Sequence, residues 1–414
     1  MDERELSERF EAVGVPPSRL EVGALVAAGR RRVTRRRSWQ AAGGAALAIA
    51  VLVAVPSILF HPRNAAVVAV GSPSSEQPAE EPTGQPTEAP PIGTTAVAPS
   101  SAPAAACAMS VLATPKGMTR ASVTAVDPTG RYIIGHDIVG QNFHPILWTD
   151  GKPQALPMRG ESVELSAVNA NGVVVGLVSE GASEYAFRYQ NGKYTRLRTP
   201  SGNWHIYPVP AINTAGDVVI NAEPSGNSGG KDSFALLWNA GSTTAKRLPL
   251  PDGANVMAIL DDGTLVGALY KNGEAIAGYA WDQQGHGRKL TTPSGQTAAA
   301  YAGRGDWATG GFWPRQSVAR WNLRTGEMKE FETPAAADVP SGLDGIGPGE
   351  RVNAAGWVVA SGFVLRDDGP AELTVPTGQK AQPIAVSDYG LVVGGTQIAQ
   401  SLDNGNLGPR TWKC

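Results

Sequence analysis

One phrase of about ten residues returns seven times between Ala125 and Gly394, and this repetition limits the possible folds more than any other feature. It runs small, branched, polar, two residues, glycine, then a branched stretch. Clear copies are AVDPTGRYIIG from Ala125, AVNANGVVVG from Ala167, AINTAGDVVI from Ala211 and AILDDGTLVG from Ala258. Looser ones are AYAGRGDWATG from Ala300, RVNAAGWVVA from Arg351 and AVSDYGLVVG from Ala385. The turn glycines are Gly130, Gly172, Gly216, Gly263, Gly305, Gly356 and Gly390, spaced by 42, 44, 47, 42, 51 and 34 residues.

A second phrase follows each first one: an alternating aromatic strand, a turn, and a strand ending in proline. Examples are PILWTDGKPQALP, AFRYQNGKYTRLRTP and GYAWDQQGHGRKLTTP; GFVLRDDGPAELTVP follows its glycine so soon that the sixth period is abbreviated. Asn/Asp-x-x-Gly and Asp/Asn-Gly turns suit antiparallel hairpins. Four short strands per period, seven times over, predict an all-β, seven-bladed β-propeller over residues 107–414. Stacked blades cover both faces of each other's inner strands, which explains unbroken apolar runs such as Val173-Val174-Val175.

The seventh period stops at PRTWKC, without its proline-terminated strand. The missing phrase stands at the front of the domain, where Ser110-Val111-Leu112-Ala113-Thr114-Pro115 matches LRTP at Leu197 and LTTP at Leu290. The N-terminal strand is therefore expected to complete the last blade. That register puts Cys107 and Cys414 in one turn, close enough for a disulfide. Two unpaired thiols are the alternative.

The combination A-[VI]-N-x-x-G-x-V-V-G followed by [FL]-x-[WY]-x-x-G resembles the HAF-type repeats of bacterial extracellular proteins. Ala167–Tyr189 and Ala258–Trp281 match best, and Tyr185-Ala186-Phe187 stands nearest the His-Ala-Phe triplet. The resemblance covers about 300 of the 414 residues and implies a propeller-like fold in an outer location, with no assigned catalytic residues.

Ahead of the repeats lies a different kind of chain. Residues 41–60 carry no charge, and at 1.5 Å per residue they reach about 30 Å, a bilayer's hydrocarbon thickness. Arg30, Arg31, Arg32, Arg35, Arg36 and Arg37 precede this run, and beyond it the next basic residues are Arg63 and Lys116. That asymmetry orients residues 1–38 to the cytoplasm, with 39–62 as a signal-anchor helix in the plasma membrane. A cleaved or twin-arginine signal is the other option; against it stand the long n-region and the Ser38-Trp39 pair after the arginines. Residues 63–106 read as a disordered stalk, since 71–106 hold eight prolines and no aromatic residue. The layout is similar to that of bacterial anti-sigma factors, although residues 1–40 contain neither the His nor the Cys of the zinc-type members.

Composition removes several function classes. Charged residues make up only 17%, while 50 glycines and 32 prolines exclude a helical bundle. The net charge of −2 offers no funnel for nucleic acid. Gly226-Asn227-Ser228-Gly229-Gly230 fits G-x-S-x-G but lies in a loop between strands, without the helix a nucleophile elbow needs. Arg304-Gly305-Asp306 falls on a repeat turn, and Asp261-Asp262-Gly263 and Asp367-Asp368-Gly369 lack the ligand spacing of calcium loops. His136, His144, His205 and His286 show no metal-ligand spacing. The expectation is therefore no enzyme, no cofactor and no metal.

Propeller ligands meet the loops joining strands two to three and four to one. Here those loops hold Asn142 and His144, then Trp204, His205 and Tyr207, then Lys231 and Asp232, with Trp313 and Arg315 on the same rim. Aromatic rings beside hydrogen-bonding groups suit sugar or peptide surfaces, although Trp204 and Trp313 could equally pack between blades. The sequence thus predicts a monomeric single-pass surface protein that binds an envelope glycan, peptide or protein. A transmembrane sensor that signals through residues 1–38 is the alternative.

Overall fold

The computed structural model describes residues 106–181, 183–227, 232–271, 273–315, 317–331, 348–360, 362–398 and 406–414. The expected cytoplasmic segment, membrane helix and stalk, up to residue 105, lie outside the described residues.

Seven four-stranded antiparallel sheets follow one another along the chain. Blades 1 to 6 span 121–155, 162–196, 204–247, 254–289, 297–331 and 351–370. Blade 7 takes three strands from 379–413 and its outermost strand, Ala108–Val111, from the front of the domain. Buried apolar side chains gather in seven clusters, each shared by two neighbouring blades. One of these joins blade 7 to blade 1 through Leu112, Ala385, Val393, Ile133 and Trp148. The ring is closed.

Closure follows the register expected from sequence. Ala108 pairs with Lys413, Ser110 with Thr411 and Val111 with Arg410. Leu112 is buried and donates its N–H to the Pro409 carbonyl. Leu156, Leu197, Leu248 and Leu290 do the same toward the third strands of their own blades. Cys107 and Cys414 flank this strand pair and form a disulfide, with their Cα atoms 4.2 Å apart. The bond spans 307 residues, for which chain entropy gives a stabilisation on the order of 5 kcal/mol.

Two local devices recur from blade to blade. A β-bulge interrupts the innermost strand, for example between Leu165 and Ala167. The bulge drives a backbone carbonyl toward the second strand, so a Cβ on Gly176 would lie 1.9 Å from the Glu164 oxygen. This requirement accounts for the glycine that ends the V-V-G phrase. Blade 3 carries Ile220 instead and has a longer break, between Tyr207 and Ala211, which absorbs Pro208-Val209-Pro210.

The second device is an indole staple. The third-strand tryptophan of one blade donates Nε1–H to the carbonyl that ends the outermost strand of the blade before it. Trp148 reaches Ala113 (2.6 Å), Trp238 reaches Arg198 (3.0 Å), Trp321 reaches Thr291 (2.7 Å) and Trp412 reaches Thr374 (2.8 Å). Trp281 of blade 4 is as buried, but its Nε1 has no partner.

On the lower face, where first and second strands join, the turn asparagines tie blade to blade. Asn169 accepts the N–H groups of Asn171 and Val173 and donates to the Asn213 carbonyl of the next blade. Asn213 and Asn353 repeat this toward Leu260 and Ser387. In blade 5 the asparagine position is Ala302, and Arg304 follows it. Its guanidinium bonds Asp261 of blade 4 at 2.6 Å and Asp388 of blade 7 at 2.8 Å, with Thr214 of blade 3 at 3.5 Å. One residue thus gathers turns from four blades around the axis.

Trp→Phe at positions 148, 238, 321 and 412 deletes the indole's hydrogen bond to the neighbouring blade, whereas Trp281→Phe removes a donor that has no partner among the described residues. Each of the four should lower unfolding free energy by about 0.5–1.5 kcal/mol more than Trp281→Phe does. Urea denaturation of the five variants measures the difference.

Candidate functional site

The loops between second and third strands, and those leading from one blade to the next, share the upper face. The ligand residues expected on this face fall into three separate groups around the ring; Lys231 lies outside the described residues.

The first group is in blade 1. Asn142 and His144 lie on the strand Asn142–Thr149, half-buried, with His144 paired to Asp137 and Asn142 to Val139. Phe143, between them, stacks on His136 with ring centroids 4.1 Å apart. His136 is buried and its Nδ1 has no hydrogen-bond partner. Desolvation pushes its pKa down to about 4, more than the Asp137 carboxylate raises it. The ring is therefore neutral in the fold and protonates in the unfolded chain below its ordinary pKa of about 6.5.

Trp313 and Arg315 form the second group, in blade 5. Trp313 meets Tyr301 edge-on at 6.0 Å, and Arg315 pairs with Glu330 on the outermost strand of its own blade at 3.4 Å. Arg315 is thus directed outward along its own blade. Neither residue joins the other groups.

Blade 3 holds the third group. His205 and Tyr207 point to one side of the innermost strand, stacked at 5.9 Å. The Tyr207 hydroxyl donates to Asn255 Oδ1 of blade 4 at 2.8 Å, and burial raises its pKa above the ordinary phenol range. Burial also lowers the pKa of His205. Trp204 points to the other side, its Nε1–H donating to the Pro200 carbonyl and its ring edge-on to Phe234 at 5.0 Å.

Trp204 and Asp232 do meet, in a cleft of about 300 Å³. Phe234, Arg247 and Asp252 complete its lining of rings and charges. The Arg247 guanidinium lies over the Phe234 ring, 4.3 Å from its centroid. Asp232 holds a left-handed backbone, φ 54°, a conformation that aspartate tolerates better than most residues. Asp232, Asp252 and Arg247 are exposed, and none forms an ion pair within the described chain. An aromatic wall beside two carboxylates and one guanidinium can stack a ligand, bind a cation and accept or donate hydrogen bonds. Phe234, Arg247 and Asp252 were not among the expected residues, because each sits in a stretch that reads as blade scaffold. Among the described residues no three His, Cys, Asp or Glu side chains come together at a metal-binding distance.

No family model and no curated protein matches the chain. Solved structures do match, at low similarity. An oligogalacturonate lyase from Vibrio parahaemolyticus shares 10% identity at a TM-score of 0.46, over 75% of this chain and 97% of that one. An oligogalacturonate lyase in complex with manganese shares 11% at 0.46, over 70% and 88%. TolB from Acinetobacter baumannii shares 11% at 0.38, over 71% of this chain, which spans 63% of TolB. These likenesses concern the fold alone. They nevertheless correct one expectation. Absence of enzymatic activity cannot be taken from this architecture, because propellers that include lyases match it and the fold is compatible with an enzyme.

Acid should destabilise the ring through His136. A folded pKa below the unfolded one gives a contribution that is complete above pH 6.5 and is lost as pH falls toward 4. The loss should be on the order of 3 kcal/mol. Thermal unfolding of wild type and His136→Gln across this window measures it, with the variant expected to show a flatter pH limb.

Proposed function

We propose that this chain is a membrane-tethered recognition protein whose propeller stands outside a bacterial cell and binds an amine-bearing envelope component at the blade 3 cleft. The observation that carries the reading is the pairing of Trp204 and Phe234 with two carboxylates, Asp232 and Asp252, that form no ion pair among the described residues. A protonated amine would sit between the carboxylates while the rest of the ligand packs on the rings. Arg247 would meet an acidic or carbonyl group of the same ligand. Peptides and amino sugars both carry this combination.

Three features support the outer location. The disulfide Cys107–Cys414 suits an oxidising compartment. The uncharged run 41–60 behind its arginine cluster suits a signal anchor. The repeat phrase resembles that of extracellular HAF-type proteins.

A soluble form starting at Ala106, titrated with amine-bearing peptides and amino sugars and with their N-acetylated counterparts, tests the reading. Amines should bind and acetylated forms should not. Trp204→Ala, and Asp232→Asn with Asp252→Asn, should each weaken binding at least about tenfold, the scale of one lost charged or stacking contact. Equal binding of both ligand forms, or indifference to these substitutions, would contradict it. Scoring the same panel for product formation shows whether turnover accompanies recognition.

A further inference from the structure

The charge pattern of the blade 3 cleft selects among amines. Its ionised side chains are Asp232, Asp252 and Arg247. Two negative charges and one positive leave it net negative, and the three form no ion pair among the described residues. The Arg247 guanidinium instead lies over the Phe234 ring, 4.3 Å from its centroid. Contact with a ring does not consume its five N–H donors, and none of them makes a hydrogen bond among the described residues.

Each of the three comes from a fixed part of the chain. Asp232 precedes Ser233, a buried residue whose Oγ accepts the Asn255 Nδ2–H of blade 4 at 3.3 Å. Asp252 stands in a turn closed by the Ala254 N–H on the Pro251 carbonyl. The next residue, Gly253, has φ 80°, and its carbonyl accepts the Tyr270 N–H. A Cβ there would lie 2.3 Å from the Tyr270 oxygen, so the turn has room for glycine alone. Arg247 lies on the outermost strand, paired with Leu236. Aspartate is short, so a fixed backbone keeps each carboxylate near one place, and a matching ligand loses little affinity to ordering.

The complement of two carboxylates and one guanidinium is a molecule with two ammonium groups and one carboxylate. An amino sugar brings a single ammonium, and so does the amino end of an ordinary peptide. Either leaves one carboxylate of the cleft unmatched. A diamino acid brings all three charges. Its ammonium groups stand at the two ends of a methylene stem, in lysine no more than about 7.5 Å apart. A compact space of about 300 Å³ is roughly 8 Å across, so such a stem fits. The Trp204 and Phe234 rings, edge-on at 5.0 Å, offer the stem an apolar wall.

We propose that the ligand of the blade 3 cleft is a diamino acid whose two ammonium groups and carboxylate are all free. The proposal rests on the amine-binding reading above and narrows it to one class. Asp232 and Asp252 each take an ammonium. Arg247 takes the carboxylate, which its planar fork of donors suits for bidentate bonding. The same charges reject a sugar acid, which would meet two carboxylates.

Full-length protein in detergent micelles, titrated with lysine, ornithine, lysine amide, Nε-acetyl-lysine and glucosamine and followed by ligand-observed NMR, tests this. At about pH 6 every free amine in the set is protonated. Lysine or ornithine should bind with a dissociation constant of about 1 mM or below. Lysine amide lacks the carboxylate and Nε-acetyl-lysine lacks the distal ammonium. Each should bind at least about tenfold more weakly, the scale of one charge-assisted contact. Arg247→Gln should weaken lysine about tenfold and leave lysine amide unchanged, and the retained amide binding shows that the variant is folded. Three results overturn the proposal and leave amine recognition standing: lysine and lysine amide bound alike, an Arg247→Gln effect that is absent or equal on both, or glucosamine bound at least as tightly as lysine. Binding of none of these amines overturns both the proposal and the reading it rests on.

Discussion

Everything in the propeller depends on one strand pair. Ala108–Val111 hydrogen-bonds to the end of Asn406–Lys413, and this contact turns a row of sheets into a circle. Without it, blade 7 would have three strands, and the cluster around Leu112, Ile133 and Trp148 would face water. Closing a ring across some 300 residues costs substantial chain entropy. The covalent bond between Cys107 and Cys414, beside the strand pair, offsets part of that cost. The Thr374 hydroxyl and amide, both bonded to the Cys107 carbonyl, extend the join to blade 6.

Once the circle exists, polar groups set how its members meet. Indole staples fix the outer rim, turn asparagines fix the lower face, and Arg304 draws four turns to the centre. These bonds are directional, whereas the seven apolar clusters between blades are not. Burial supplies the larger share of stability, and the staples specify how one blade sits on the next. The regularity fails at two places: blade 3 lengthens its bulge around Pro208 and Pro210, and blade 7 breaks register between Gly395 and Gln397.

The architecture was legible in the sequence because periodic demands leave periodic marks. A bulge that pushes a carbonyl at the next strand requires glycine, so Gly135, Gly176 and Gly267 recur in phase. The displaced closing strand was legible because Leu112 repeats the pattern of Leu197 and Leu290. The contacts that break the period were not. Arg304 lies in a tripeptide that reads as an ordinary turn, and nothing local shows that Asp388, 84 residues away, faces it. Of the expected ligand residues, Trp204 and Asp232 share a cleft, while Arg315 turns to Glu330. Which loops converge depends on blade twist and loop path, and a single sequence encodes neither in local pattern.

Ring closure is most directly tested by amide hydrogen exchange in the intact, oxidised protein. The amides of Ser110 and Leu112, and that of Thr411 on the strand they join, should be protected as strongly as the blade cores at Val175 and Val219. Exchange of the Ser110 and Leu112 amides at the rate of an unstructured chain, while the cores stay protected, would mean that the strand does not belong to blade 7 and that the ring is open.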